Sequence, residues 1–102
     1  MSVAERQARS ALARLVTQRG LLRGNLLERR RVCGKPTCKC TRGELHPSLY
    51  LVFSKGGKLR QLFVPKTWAA RVRRWVADYH DARRLLEELS RLYFEKVRQR
   101  QD

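Results

Sequence analysis

The residues best suited to chemistry in this chain are three cysteines and a histidine that lie close together. Their spacing is C-x4-C-x-C-x5-H, formed by Cys33, Cys38, Cys40 and His46. Three thiols and one imidazole supply the four ligands that a tetrahedral Zn²⁺ site requires. Gly34 and Pro36 favour a tight turn that brings the first two thiols together. The sequence therefore predicts a structural zinc site over residues 33–46, a segment that we call the knuckle.

Two other interpretations of the knuckle stay open. The spacing differs from the paired C-x2-C that is typical of zinc sites, so the cysteines could be reduced structural residues. Cys33 and Cys38 could instead form a redox pair. A lone histidine in a loop is more often exposed to solvent than bound to a metal. A water molecule or a side chain of a partner could therefore take the place of His46 in the site.

The chain is strongly basic, and its charge is unevenly distributed. Its 102 residues include 24 Lys and Arg against 9 Asp and Glu, which gives a formal net charge of +15. Residues 1–74 carry the whole of that +15, and residues 75–102 carry no net charge. Such an excess favours binding to a polyanion, with nucleic acid ahead of an anionic membrane surface. A solvated arginine-rich surface is the alternative.

The cations that could contact phosphates lie near the knuckle, at a predicted hairpin tip and at the start of a predicted long helix. They are Arg29, Arg30, Arg31, Lys35, Lys39, Arg42, Lys55, Lys58, Arg71, Arg73 and Arg74. Arg71 and Arg74 are three residues apart, so on a helix they could straddle a nucleic-acid backbone. Tyr50, Phe53 and Phe63 could stack on bases, but aromatic residues of a hairpin more often belong to the core. We expect DNA as the partner rather than RNA.

A single α+β domain, residues 1–102, is predicted to position these residues. The apolar spacing in residues 1–19 predicts an N-terminal amphipathic helix that ends near Gln18. Residues 24–65 are predicted to hold the knuckle and a small antiparallel sheet of two to three strands, at residues 25–32, 48–54 and 58–65.

The predicted hairpin in this sheet has a defined register. Gly56 and Gly57 indicate a two-residue turn, because both positions of such a turn need a positive φ. The turn places Leu49 opposite Val64, Leu51 opposite Leu62, Phe53 opposite Arg60, Tyr50 opposite Phe63 and Val52 opposite Gln61. Both faces of the hairpin carry apolar residues, so we expect the sheet to be covered on both sides, wholly or in part.

Residues 66–99 are predicted to form one long helix that no proline or glycine interrupts. Apolar residues recur along it at the alternating spacing of a coiled coil: Trp68, Val72, Trp75, Tyr79, Ala82, Leu86, Leu89 and Tyr93. Its second half has no evident partner in the same chain. We therefore expect a homo-oligomer, with a dimer favoured, through Leu85, Leu86, Leu89, Leu92 and Tyr93. The alternative is a helical hairpin within one chain that uses the same stripe.

The knuckle and the segments that follow it resemble a small bacterial and archaeal family of unknown function. The resemblance rests on Cys-Gly-Lys-Pro-x-Cys-x-Cys at residues 33–40, a His-containing turn before Tyr50, a glycine hairpin, and Val64-Pro65-Lys66 before the long helix. It covers residues 24–98 and leaves residues 1–23 outside. This chain has His46-Pro47-Ser48 where the family has His-Gly-Pro. The resemblance implies one domain with a strand before Cys33, and it implies no activity.

These patterns favour a non-enzymatic nucleic-acid-binding protein that zinc stabilises and that self-associates through its long helix. A second hypothesis is an adapter whose C-terminal helix binds a larger protein acting on nucleic acid. An enzyme is not favoured, because Glu44 is the one acid in the knuckle and a metal-dependent hydrolase needs an open ligand position and a carboxylate base. No stretch approaches the roughly 18 apolar residues of a membrane span. We expect a cytoplasmic protein, nucleoid-associated if it binds DNA.

Overall fold

The computed structural model of the chain describes residues 1–31 and 46–100. The elements follow in the order α1 (Val3–Gln18), β1 (Asn25–Arg31), β2 (His46–Lys55), β3 (Lys58–Val64), a short 3-10 helix (Lys66–Trp68) and α2 (Ala69–Gln99). The predicted α+β class, with an N-terminal helix, an antiparallel sheet and a long C-terminal helix, is confirmed. The chain divides into two compact units, Met1–Leu22 with Arg74–Asp102 and Arg23–Arg73. None of the described helices is both long enough and apolar enough to cross a membrane.

The first unit is built on α1 and the greater part of α2. Ser2 caps α1, because its hydroxyl accepts a hydrogen bond of 3.1 Å from the backbone N–H of Glu5. Ala8 is buried in a cluster with Leu85 and Leu89 of α2, and partly buried apolar residues of α1 pack against that cluster. The predicted end of α1 at Gln18 is confirmed. The prediction that the second half of α2 lacks a partner in the chain is wrong, since α1 packs against it.

A close approach at Gly20 holds the end of this segment against α2. A Cβ atom added at Gly20 would lie 2.6 Å from Cδ1 of the Trp75 indole, far inside van der Waals contact. The backbone N–H of Leu22 donates a hydrogen bond of 3.1 Å to the carbonyl oxygen of Trp75. Glycine at position 20 therefore allows the indole to lie directly against the backbone.

The second unit contains a three-stranded antiparallel sheet in the order β1-β2-β3. Gly56 and Gly57 adopt φ values of +61° and +78°, so the predicted two-residue turn is confirmed. It sets the predicted hairpin register, with Tyr50 opposite Phe63 and Leu49 opposite Val64. The pairing of β1 with β2 extends to His46, which lies opposite Arg31. The loop position considered for His46 is therefore wrong, because this residue begins β2.

The two faces of the sheet differ in burial. Leu51 and Val64 are buried and define what we call the covered face. Neighbouring residues on a strand point to opposite sides, so Leu27, Tyr50 and Phe63 belong to the other face, which we call the open face. Leu27 is 41 % exposed and Phe63 is 54 % exposed. Among the described residues coverage is partial on both faces: Tyr50 and Val52 on the open face are half-buried, and Leu62 beside Leu51 on the covered face is 56 % exposed.

The buried stripe of α2 differs from the predicted coiled-coil spacing. Val72, Val76, Ala82, Leu85 and Leu89 are buried, whereas Leu86, which the spacing placed in the stripe, is 58 % exposed. An α-helix turns about 100° per residue, so Leu85 and Leu86 face well-separated directions. The predicted spacing therefore holds at Val72, Ala82 and Leu89 and fails at Leu86, because it assumes one straight partner along the whole helix. Which positions are buried depends on the element that packs against each part of α2. For Leu85 and Leu89 that element is α1.

Candidate nucleic-acid interface

The hairpin tip presents two lysines on either side of its glycine turn. Lys55 and Lys58 are direct partners in the strand register and both are exposed. Like charges directly opposite each other on a sheet repel and destabilise the pair. Neither lysine has an ion-pair partner within the described residues. An anion bound at the tip would relieve this repulsion, which suits a phosphate contact.

The arginines of β1 do not form a single cluster. Arg29 lies on the open face, where its guanidinium carbon is 5.7 Å from the centre of the Tyr50 ring. Arg30 lies on the opposite side of the strand, and its Nη2 is 3.5 Å from Oε1 of Glu28. Arg29 and Arg30 point away from each other, because consecutive strand residues face opposite sides of the sheet. One straight phosphate backbone on either face would meet only one of the two.

The three arginines at the start of α2 have different surroundings. The guanidinium carbon of Arg71 stacks 4.3 Å from the centre of the Trp68 ring. Arg73 lines a cavity, whereas Arg74 belongs to the other compact unit. All three side chains are exposed. All three arginines therefore remain candidate phosphate contacts, with Arg71 and Arg74 three residues apart on α2.

The cavity lies beside residues of all three strands and the first turns of the C-terminal helical segment, and Phe63 of the open face is part of its wall. Its volume is about 520 Å³, and its walls include Glu28, Leu49 and Val64 from the strands with Lys66, Ala69 and Arg73 from the helical side. Sequence reasoning identified Arg73 but missed Glu28 and Lys66. The available signal for Lys66 was the Val64-Pro65-Lys66 junction, where the strand ends and the helical segment begins.

The predicted metal ligands lie largely outside the described residues. Cys33, Cys38 and Cys40 are not described, nor are the cations Lys35, Lys39 and Arg42. For Arg31 and His46 the backbone pairing is described. Within residues 1–31 and 46–100, no three His, Cys, Asp or Glu side chains are grouped as a metal site would require. The zinc site stays a prediction.

One acidic residue of the basic part is buried in the first unit. Glu5 is 3 % exposed, and its Oε2 accepts hydrogen bonds from Nε of Arg9 at 2.8 Å and from the hydroxyl of Tyr93 at 3.0 Å. Nζ of Lys96 lies 3.6 Å from its other oxygen. The hydrogen bond from Arg9 lowers the pKa of Glu5 most strongly, while burial opposes that shift. Arg9 and Lys96 are therefore engaged within the fold.

Sequence reasoning missed the Glu5 cluster. Ser2 and Glu5 have the spacing of a helix capping box, in which the acid at the third helical position returns to the cap. That spacing is the signal, and the cap itself forms. The carboxylate turns instead toward Tyr93 on α2, a residue 88 positions later in the chain. No local pattern indicates such a partner.

Residues 3–74 match the model of a protein family described as a domain of unknown function, DUF6788. The chain belongs to the DUF6788 family. The DUF6788 match covers α1, the sheet and the start of α2, whereas the resemblance seen in the sequence began at residue 24 and extended to residue 98. The matched residues carry the whole net positive charge of the chain. No curated protein and no solved structure matches this chain.

Proposed function

We propose that this DUF6788 protein is a non-enzymatic nucleic-acid-binding protein that acts on DNA through the cations of residues 3–74. The observation that carries the proposal is the scarcity of counter-charge in that part. Its described residues include two carboxylates, Glu5 and Glu28, and each already has an arginine partner in the fold. Every described Lys and Arg side chain there is exposed. A polyanion such as DNA can pair with these exposed cations and release counterions.

Binding of this kind has a measurable signature in its salt dependence. Each phosphate neutralised on B-DNA contributes a slope of about −0.9 to log K against log salt concentration. If about six contacts form, affinity falls roughly a thousand-fold between about 50 and 200 mM salt. The experiment is fluorescence anisotropy of the full-length protein with a labelled DNA duplex over that range.

The sharpest variant for this experiment is Lys55→Gln with Lys58→Gln. If both lysines contact phosphate, the slope flattens by up to about 1.8. Loss of the like-charge pair should at the same time raise the thermal stability of the hairpin. The matched control is Arg83→Gln with Arg91→Gln, which removes the same charge from exposed positions of α2. Equal losses of affinity from both pairs would contradict a placed binding surface and leave only net charge.

The proposal includes a structural zinc ion in the knuckle. Arg31 and His46 are direct partners in the sheet, and the Cα atoms of such a pair lie about 4.5–5.5 Å apart. Cys33 follows Arg31 by two residues, which is about 7 Å of extended chain. The first thiol can therefore reach the neighbourhood of His46. Cys38, Cys40 and His46 would complete a tetrahedral site.

The proposal also includes self-association through α2, with the contact residues revised. Leu85 and Leu89 are buried against α1 and are not available. Leu86, Phe94 and Val97 are exposed apolar residues of α2, and Phe94 is 72 % exposed. Residues 75–102 have equal numbers of cations and anions, so two copies can meet there without net repulsion. The balanced charge of residues 75–102 thus favours a second copy of this chain as the partner of α2.

A further inference from the structure

The open face of the sheet carries a row of apolar side chains across all of its strands. Leu27, Tyr50 and Phe63 are direct partners in the register. The ring centres of Tyr50 and Phe63 are 5.8 Å apart, with the ring planes at 67°. Phe63 is 54 % exposed, so its ring is accessible to a ligand. An exposed aromatic ring on a sheet is the feature with which nucleic-acid-binding sheets stack bases.

The charge of this face fits the same ligand. Arg29 lies beside the aromatic row, with its guanidinium carbon 5.7 Å from the Tyr50 ring centre. The described strand residues on the open face include no Asp or Glu, since Glu28 belongs to the covered face with Leu49 and Val64. A guanidinium can bind a phosphate and can also stack on a base. The face therefore combines a stacking surface with a phosphate contact and has no described carboxylate to repel the backbone.

The combination of aromatic rings with an arginine favours one kind of ligand for the open face over the others. A second copy would place Arg29 against Arg29 without any described carboxylate to offset the repulsion. A DNA duplex keeps its base faces stacked on one another, so a flat sheet could meet only its backbone and groove edges. Unpaired nucleotides present both a free base face and a phosphate.

We infer that the open face is a binding site for unpaired nucleotides, with bases stacked on Phe63 and Tyr50 and a phosphate held by Arg29. The inference rests on the proposed function and deepens it, because it names single-stranded nucleic acid as the ligand of this face. The hairpin-tip lysines and the open face then have separate tasks. The lysines contact any phosphate backbone, and the aromatic row distinguishes unpaired strands from duplex.

The experiment compares three labelled probes with the full-length protein by fluorescence anisotropy. The probes are a short thymidine oligonucleotide, a strand of the same length made of abasic sites, and a duplex. The variant Phe63→Leu removes the ring and keeps an apolar side chain. Phe63→Trp keeps a ring, and Leu59→Ala is the matched control, because Leu59 is 74 % exposed on the same strand and the same face.

We expect Phe63→Leu to weaken binding of the thymidine strand by about 5- to 100-fold, the range for loss of one stacked base. Binding of the abasic strand and the duplex should change less than about two-fold, since neither offers a base face to the ring. Phe63→Trp should retain wild-type binding, which would exclude misfolding as the cause, and Leu59→Ala should alter none of the three.

Two results would overturn the inference. If Phe63→Leu weakens all three probes equally, or none, bases do not stack on this face. A second result is that the duplex binds with the expected salt slope, but the wild-type protein binds the thymidine strand and the abasic strand with the same affinity. The inference then fails and the proposed function stands. If no probe binds even at low salt, the proposed function itself fails.

Discussion

The buried carboxylate of Glu5 neutralises positive charge inside the helical unit of this strongly basic chain. Glu5 accepts hydrogen bonds from Arg9 and Tyr93 and has Lys96 nearby. The ring of Tyr93 also lies 4.7 Å from Nζ of Lys96, so the cation contacts both an acid and an aromatic face. An acid placed between two cations offsets the repulsion that they would otherwise exert within the packed helices.

The state of Glu5 makes the stability of the helical unit depend on pH. Its folded-state pKa is lowered, chiefly by the hydrogen bond from Arg9, while an unfolded glutamate titrates near about 4.3. Its contribution is therefore fully present above that pH and is lost as the pH falls through the folded-state pKa. We expect Glu5→Gln to lower the thermal midpoint at neutral pH, and the two proteins to converge in acid.

The measurement is thermal unfolding of both proteins by circular dichroism at a series of pH values. Glu87→Gln is the control, because Glu87 is an exposed carboxyl on α2. A difference between wild type and Glu5→Gln that persists unchanged at the lowest pH would show that the effect comes from packing and not from charge.

At the scale of elements, local chemistry predicted most of the fold. Gly56 and Gly57 specify their turn through backbone sterics alone, so the hairpin and its register follow from two residues. The end of α1 is likewise a local property. The phase of the buried stripe on α2 could not be predicted, because Leu85 and Leu86 are equally apolar and only the approach of α1 distinguishes them. The lysines at the hairpin tip were predicted for the same reason as the turn.

The knuckle joins β1 to β2, so removal of its metal should affect the sheet before the helices. We expect one Zn²⁺ per chain in protein purified without chelator, and none in Cys38→Ser. A structural zinc ion contributes folding free energy directly. A strong chelator should therefore disorder the sheet, seen as loss of amide protection in β1 and β2, while α1 and α2 keep their helical signal. Metal analysis that finds no zinc in wild type would make the knuckle a turn without a metal.

The molecule as a whole separates its charge along the chain. The residues that match the family carry the full +15, and the later part of α2 lies in a segment of balanced charge. On the function that we propose, the first part binds the polyanion and the second part is available for contacts between proteins. The uneven distribution of charge could be predicted from the sequence, because counting charges needs no knowledge of the fold.

Self-association belongs to this scale. We expect a dimer in light scattering at tens of micromolar protein, and a shift to monomer in Leu86→Glu with Phe94→Glu, because two carboxylates would enter an apolar contact. Arg91→Glu is the control, since it adds negative charge at another exposed position of α2. A wild-type monomer would contradict the dimer. The exposed face of α2 would then fit a larger partner protein, as the adapter hypothesis holds.

The order of the strands gives the cations a further task. In the described sheet β2 is central, so β1 and β3 each have one edge without a neighbouring strand. Such edges invite strands of other molecules to add on, which is a route to aggregation. Arg29 and Arg30 on β1, with Lys58 and Arg60 on β3, place repelling charge along both edges. The side chains that we propose to bind a polyanion thus also keep the sheets of separate molecules apart, and we expect their neutralisation to promote aggregation.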